Sequence, residues 1–152
     1  MKSVFTFLAF LICIQLFACN KNKEMTSSIN DTSNTGSMKL KITVGSNTFN
    51  ATVYNNSTAT AFKAKLPLNI NMSELNGNEK YFDLPDNLPA NATNPGTIQI
   101  GDMMLYGSAT LVLFYKSFST SYNYTRLARI DNPSGLAAAL GSGNISVKFE
   151  LE

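Results

Sequence analysis

From residue 38 onward, apolar and polar side chains alternate along the chain, the period of β-strands with one buried face. Met38, Leu40, Ile42 and Val44 alternate with Lys39, Lys41 and Thr43 and predict a first strand. Gly45-Ser46-Asn47 carries turn chemistry, and Phe49, Ala51 and Val53 resume the alternation, which completes a hairpin. Ala59, Phe62 and Leu66 share a helical face, with Asn56 or Ser57 as cap and Pro67 as stop. Leu68, Ile70 and Met72 predict another strand, residues 73–78 a turn, and residues 80–84 a short strand. Residues 85–95 hold three prolines and four Asn or Asp, the composition of a long surface loop. Residues 96–106 predict one or two strands, and the unbroken apolar run at 111–115 a central one. Residues 116–123 are polar and aromatic by turns, and 124–130 alternate again. Asn132-Pro133 is a helix-start signal, residues 135–140 read as a short helix, and Gly141-Ser142-Gly143 ends it. Ile145, Val147, Phe149 and Leu151 form the last strand. About eight strands with two short helices predict a mainly β fold, a closed or nearly closed antiparallel β barrel.

The pattern before residue 38 is different. Lys2 precedes an apolar stretch, residues 4–17, interrupted only by Thr6 and Gln15. It is shorter than the ~20 residues a spanning helix needs and suits a removable signal. Leu16-Phe17-Ala18-Cys19 resembles the lipobox of bacterial lipoproteins, although Phe17 is bulkier than that motif usually allows. The alternatives are an ordinary secretory signal cut nearby and an uncleaved anchor. On the lipoprotein reading, residues 1–18 are the signal peptide and Cys19 carries the lipid. Cys13 is then discarded with the signal, and no disulfide is possible. Several acyl chains on one Cys would hold the protein on a membrane without crossing it. The predicted location is the bacterial cell envelope, facing the periplasm or the exterior. Of residues 20–37, eleven of eighteen are Ser, Thr or Asn, which predicts a disordered tether. The folded domain is then 38–152.

Composition narrows the chemistry. The 152 residues carry a net charge of +2 with 14% charged side chains, and no basic patch suggests nucleic-acid binding. With no His at all, Ser-His-Asp and Cys-His catalysis and His-ligated metal sites are excluded. Gly141-Ser142-Gly143 lacks the Gly-Lys pair of a phosphate loop. Asp83 and Asp86 straddle Pro85, which suits turn capping better than acid–base work. The density of Asp is too low to argue for calcium. No catalytic residue, metal or cofactor is therefore predicted.

The order strand, turn, strand, helix, many strands, helix, strand is that of cyclophilins. Thr58-Ala59-Thr60-Ala61-Phe62 resembles the segment that opens the first cyclophilin helix. Residues 95–102, PGTIQIGD, resemble the cyclophilin P-G-F-M-I-Q-G-G-D segment with one residue fewer. The domain looks closer still to a small bacterial cyclophilin-like family of unassigned function. That resemblance rests on Asp83-Leu84-Pro85, on the strand at 101–106 and on the helix at 136–140. Its members are commonly found beside flavodoxin-type redox proteins, which implies an accessory role. An envelope-tethered copy would be separated from a cytoplasmic flavoprotein by the membrane. The resemblance also implies a test for prolyl isomerase activity. Cyclophilins use an Arg three residues before the P-G and a Phe after it. Those positions are Ala92 and Thr97 here, and only Gln99 keeps its type.

Tyr106, Phe114, Tyr115, Phe118, Tyr122 and Tyr124 gather in sequence near Met103, Met104 and Arg126. In a barrel such a group can line a mouth, and Tyr106, Tyr115, Tyr124 and Arg126 are the candidate binding residues for a small ligand or peptide. Arg126 would hold an anion or stack on a ring. The plainer alternative divides the rings between core and surface. Three functions compete: a non-catalytic binding or accessory lipoprotein, which the sequence favours; a periplasmic peptidyl-prolyl isomerase with a rearranged site; and a structural surface module without a pocket.

Overall fold

A computed structural model of the chain describes residues 38–152, so Cys19 and the predicted tether lie outside the described residues. Ten strands and two helices follow in the order β1 (Lys39–Val44), β2 (Asn47–Val53), α1 (Ser57–Lys63), β3 (Leu68–Leu75), β4 (Glu79–Asp83), β5 (Thr97–Ile98), β6 (Asp102–Tyr106), β7 (Thr110–Phe114), β8 (Phe118–Ser119), β9 (Tyr124–Ile130), α2 (Leu136–Leu140) and β10 (Ile145–Leu151). Eight strands close an antiparallel barrel in the order β1-β10-β3-β4-β7-β6-β9-β2, and β5 and β8 pair as a separate ribbon. Closure leaves no unpaired edge. No helix among the described residues is long and apolar enough to cross a membrane.

The period of two decides what fills the barrel. Leu40, Ile42 and Val44 point inward from β1, Met103 and Leu105 from β6, and Leu111 and Leu113 from β7, and all are fully buried. An eight-stranded barrel is just wide enough for side chains to fill it, so the interior is a packed core. Phe62 of α1 meets Phe149 of β10 edge-on at 6.1 Å, and Leu136 and Leu140 of α2 join the same cluster. α1 starts where Asn56 caps it, accepting the Ala59 N–H at 2.8 Å, while the Asn56 amide donates to the Arg126 carbonyl at 2.8 Å. The helix ends at Lys63, before Leu66, and α2 is capped by Gly135 in the left-handed region rather than starting at Pro133.

Two features depart from the simple alternation. β3 runs through Ser73, Glu74 and Leu75, which pair with Tyr81, Lys80 and Glu79, so the expected turn shrinks to Asn76-Gly77-Asn78 with positive φ at Asn76 and Gly77. β9 carries an extra residue opposite β6: Met103 faces Ala128 and Met104 faces Arg126, leaving Leu127 between them. This bulge turns both Leu127 and Ala128 into the interior.

At one point the interior holds a charge. Lys80 has no exposed surface, and its ammonium donates to the Glu74 carboxylate and to the carbonyls of Gly141 at 2.9 Å and Gly143 at 2.6 Å. It also lies 5.4 Å from the centre of the Tyr115 ring, whose hydroxyl donates to Glu74 at 2.7 Å. Each polar atom of the cluster is matched, which is the condition for burying it.

Candidate functional site

A second apolar cluster lies outside the barrel wall. On β4, β7, β6 and β9 the residues of opposite parity to the core face outward: Glu79, Tyr81 and Asp83; Thr110, Val112 and Phe114; Met104 and Tyr106; and Tyr124. The register brings them side by side, with Glu79 opposite Phe114, Tyr81 opposite Val112, Tyr106 opposite both Thr110 and Tyr124. An apolar face of this kind needs cover. The β5–β8 ribbon supplies it where Ile98 and Phe118 pack on Met104, Val112, Phe114 and Tyr124.

The cover is partial. Beside the ribbon a hollow of about 500 Å³ remains, bounded by the β3–β4 turn at Leu75, Asn76 and Asn78, by β4 side chains, and by residues 118–124. Five rings stand in series, each within 6.0 Å of the next, from Tyr122 through Tyr106, Tyr124 and Phe114 to Phe118, and all but Phe114 line the hollow. The series goes from surface to depth: Tyr122 is 61% exposed, Tyr106 46%, Tyr124 7% and Phe114 fully buried.

Glu79 is the buried charged group of the hollow; Asp83, at its rim, is exposed. Glu79 is 8% exposed, and burial, aided by the Glu74 carboxylate, pushes its carboxyl above the ordinary range. Burial and the same Glu79 charge also push the Tyr124 phenol up, although Thr120 partly offsets them. Asp83 accepts a hydrogen bond from Thr110 at 2.6 Å rather than capping the turn, and Asp86 pairs with Lys65 at 2.7 Å. None of the described residues that line the hollow is Lys or Arg. Among the described residues no three metal-ligating side chains come together.

The structure divides the four residues singled out in the sequence. Tyr106 and Tyr124 line the hollow together. Tyr115 does not, because it shares the parity of Leu111 and Leu113 and points inward to Glu74; its phenol is pushed up to about 12 by burial and by donating to that carboxylate. Arg126 shares the outer face of Tyr124 but lies two residues further along β9, a rise of ~7 Å. There its guanidinium sits 5.8 Å from the Tyr54 ring and donates to the Tyr54 hydroxyl at 3.4 Å. The hollow is therefore on the outer wall and not in a barrel mouth, since the interior is filled. Glu79 and Tyr81 are the members that sequence reading passed over. The sequence carried only a weak signal, the shared parity of Glu79, Tyr81 and Asp83, and a Lys between them gives no hint that the other face is buried.

The residues at the positions matched to the cyclophilin segment do not line the hollow. Ala92 and Thr97 are both exposed, and Thr97 pairs with Ser119 in the ribbon. Gln99 is half-buried, its N–H donating to Asp102 at 2.9 Å. Arg129 points to Asp102, 3.9 Å away, and is outside the hollow.

A family model described as the cyclophilin-like family matches residues 42–150. Among solved structures, the solution structure of the hypothetical protein AF2241 from Archaeoglobus fulgidus is similar, with a TM-score of 0.53 and 19% identity over 76% of this chain and 95% of that one. At that identity the likeness concerns the fold alone. No curated protein matches the chain.

Proposed function

The chain belongs to the cyclophilin-like family, and from that premise we propose that it is a non-catalytic, membrane-tethered module that binds a small ligand in the outer hollow. The observation that carries this reading is the hollow itself, of a volume that ligand pockets commonly have, with aromatic walls and a desolvated carboxyl. A surface built only for solubility would not leave Leu75, Tyr106 and Tyr122 exposed together around Glu79.

Binding without turnover is supported by what surrounds the hollow. Rotation about an X-Pro bond must overcome a barrier of ~18–20 kcal/mol. Cyclophilins lower it with an Arg beside the amide and a ring under the proline. The corresponding Ala92 and Thr97 supply neither, and the described residues lining the hollow include carboxylates but no Lys or Arg. Cis–trans isomerisation of a proline peptide is expected to proceed at its spontaneous rate in the presence of the full chain. Acceleration that Arg126→Ala or Arg129→Ala removes would establish the isomerase instead. Screening small fragments against the full chain by NMR is expected to shift Tyr106 and Tyr124 first. Binders that all map elsewhere would refute the site.

The tether is proposed on the sequence of residues 16–19. A labelled fatty acid is expected to enter the protein in its bacterial host and to be lost in Cys19→Ala. Unchanged labelling in that variant would refute it.

A further inference from the structure

We propose that the ligand of the outer hollow carries an ammonium group, seated between the Glu79 carboxylate and the tyrosine rings; this rests on the binding reading above. Glu79 is more than nine-tenths buried and lines the hollow, yet no donor among the described residues hydrogen-bonds its carboxyl. A carboxylate taken from water without a partner is costly, and the cost is relieved by a donor that carries positive charge. The neighbouring ammonium of Lys80 is not available. It points to the interior side of the strand and is engaged by Glu74, Gly141 and Gly143. The adjacent Asn78 also lines the hollow, but its unmatched Oδ1 is too deeply buried for a ligand to reach, so Glu79 is the acceptor that matters. The Glu79 carboxyl is thus an unmatched acceptor to which a ligand would have to bring N–H groups.

The walls fit the same chemistry. Tyr81, Tyr106, Tyr122 and Tyr124 surround the space, and the face of an aromatic ring attracts a cation most strongly when water is displaced. Asp83 adds a second carboxylate, and no Lys or Arg among the described lining residues neutralises either. An anion would meet Glu79 and Asp83 directly. A bare inorganic cation would leave most of about 500 Å³ and its apolar walls unused, so the ammonium belongs to an organic molecule with an apolar body.

The test uses the full chain in a non-ionic polyoxyethylene detergent, with n-butylammonium, n-butanol, butyrate and methyl glucoside as probes. The protein has six Tyr and no Trp, so its intrinsic emission reports on rings of which four line the hollow. NMR shifts locate the binding. Butylammonium is expected to bind saturably and to shift Tyr106, Tyr122 and Tyr124, at least about tenfold tighter than butanol. Glu79→Gln is expected to remove that advantage while the barrel amide signals stay in place. Tyr106→Ala, at an exposed position, is expected to weaken butylammonium by about two- to fivefold, one solvent-accessible cation–π contact. If butanol or methyl glucoside saturates the hollow as tightly as butylammonium, or butyrate binds better, the ammonium inference falls and the binding reading stands. Butylammonium binding that Glu79→Gln leaves unchanged also overturns it. If no probe shifts the three tyrosines, both readings fall.

Discussion

Replacing Lys80 by Met isolates the buried charge that joins β4 to β3 and to the segment after α2. The change keeps the length and apolar stem of the side chain and removes the ammonium. In the folded protein it takes away the ion pair with Glu74, two carbonyl hydrogen bonds and the contact with the Tyr115 ring. Breaking a fully buried pair costs about 3–5 kcal/mol. Two observations reduce that figure. The Glu74 side chain is 20% exposed and retains the Tyr115 hydroxyl and the Gly77 N–H as donors. Gly141 and Gly143 are exposed, so their carbonyls can turn to water. The expected loss is about 2–4 kcal/mol, read as a lower urea midpoint at unchanged slope. A double-mutant cycle with Glu74→Gln is expected to return a coupling energy of about 1–2 kcal/mol. The acid limb provides a separate readout. Burial pushes the Glu74 carboxyl up, but the hydrogen bonds from Lys80 and Tyr115 and the Lys80 charge outweigh it and leave it below the ordinary range. That stabilisation is present above the unfolded carboxylate pKa and is lost as pH falls through the lower folded value. Lys80→Met should therefore lose less stability on acidification than the native chain. A variant as stable as the native protein, or a coupling energy of zero, would refute the reasoning.

Three further outcomes follow from local geometry. Gly101 has φ +87°, and a Cβ there would stand 3.0 Å from the Ile130 Cβ and 3.2 Å from the Pro133 Cβ, so Gly101→Ala is expected to cost about 2–3 kcal/mol in a denaturant titration. Asn56→Ala removes both the α1 cap and the bond to the Arg126 carbonyl, and should cost about 1–2 kcal/mol by the same measurement, with amide exchange in α1 accelerated. Glu79 holds its proton to higher pH in the folded chain than in the unfolded one, so ligand-free stability falls as pH rises from the unfolded to the folded value and stays low above it. Glu79→Gln should raise the urea midpoint at neutral pH and narrow its advantage near about pH 4; a variant less stable than the native chain at neutral pH would show that Glu79 has a partner within the fold.

The sequence alone was enough for the elements whose two faces differ. β1, β2 and β10 alternate cleanly because one side is core and the other solvent, whereas β9 keeps the expected bounds 124–130 although its bulge buries both Leu127 and Ala128. The mainly β class, the barrel and the two short helices came from the count and order of such segments. The wall that carries the hollow was harder to read because it is buried on both faces. Met103, Met104 and Leu105, and the run from Leu111 to Tyr115, are apolar without a break, so alternation cannot say which side chain points where. Long-range pairing decided that Tyr115 goes inward with Leu111 and Leu113 while Phe114 goes outward. Two-residue strands such as β5 and β8 carry no period at all, and their pairing across the chain set where the ribbon stops and the hollow begins. Glu79 shows the same limit. A carboxyl at a strand end reads as a solvated charge, and it becomes a buried one because β7 places Phe114 opposite it. Alternation records which residues avoid water, but the cross-strand neighbours that desolvate a particular group are set by contacts distant in sequence.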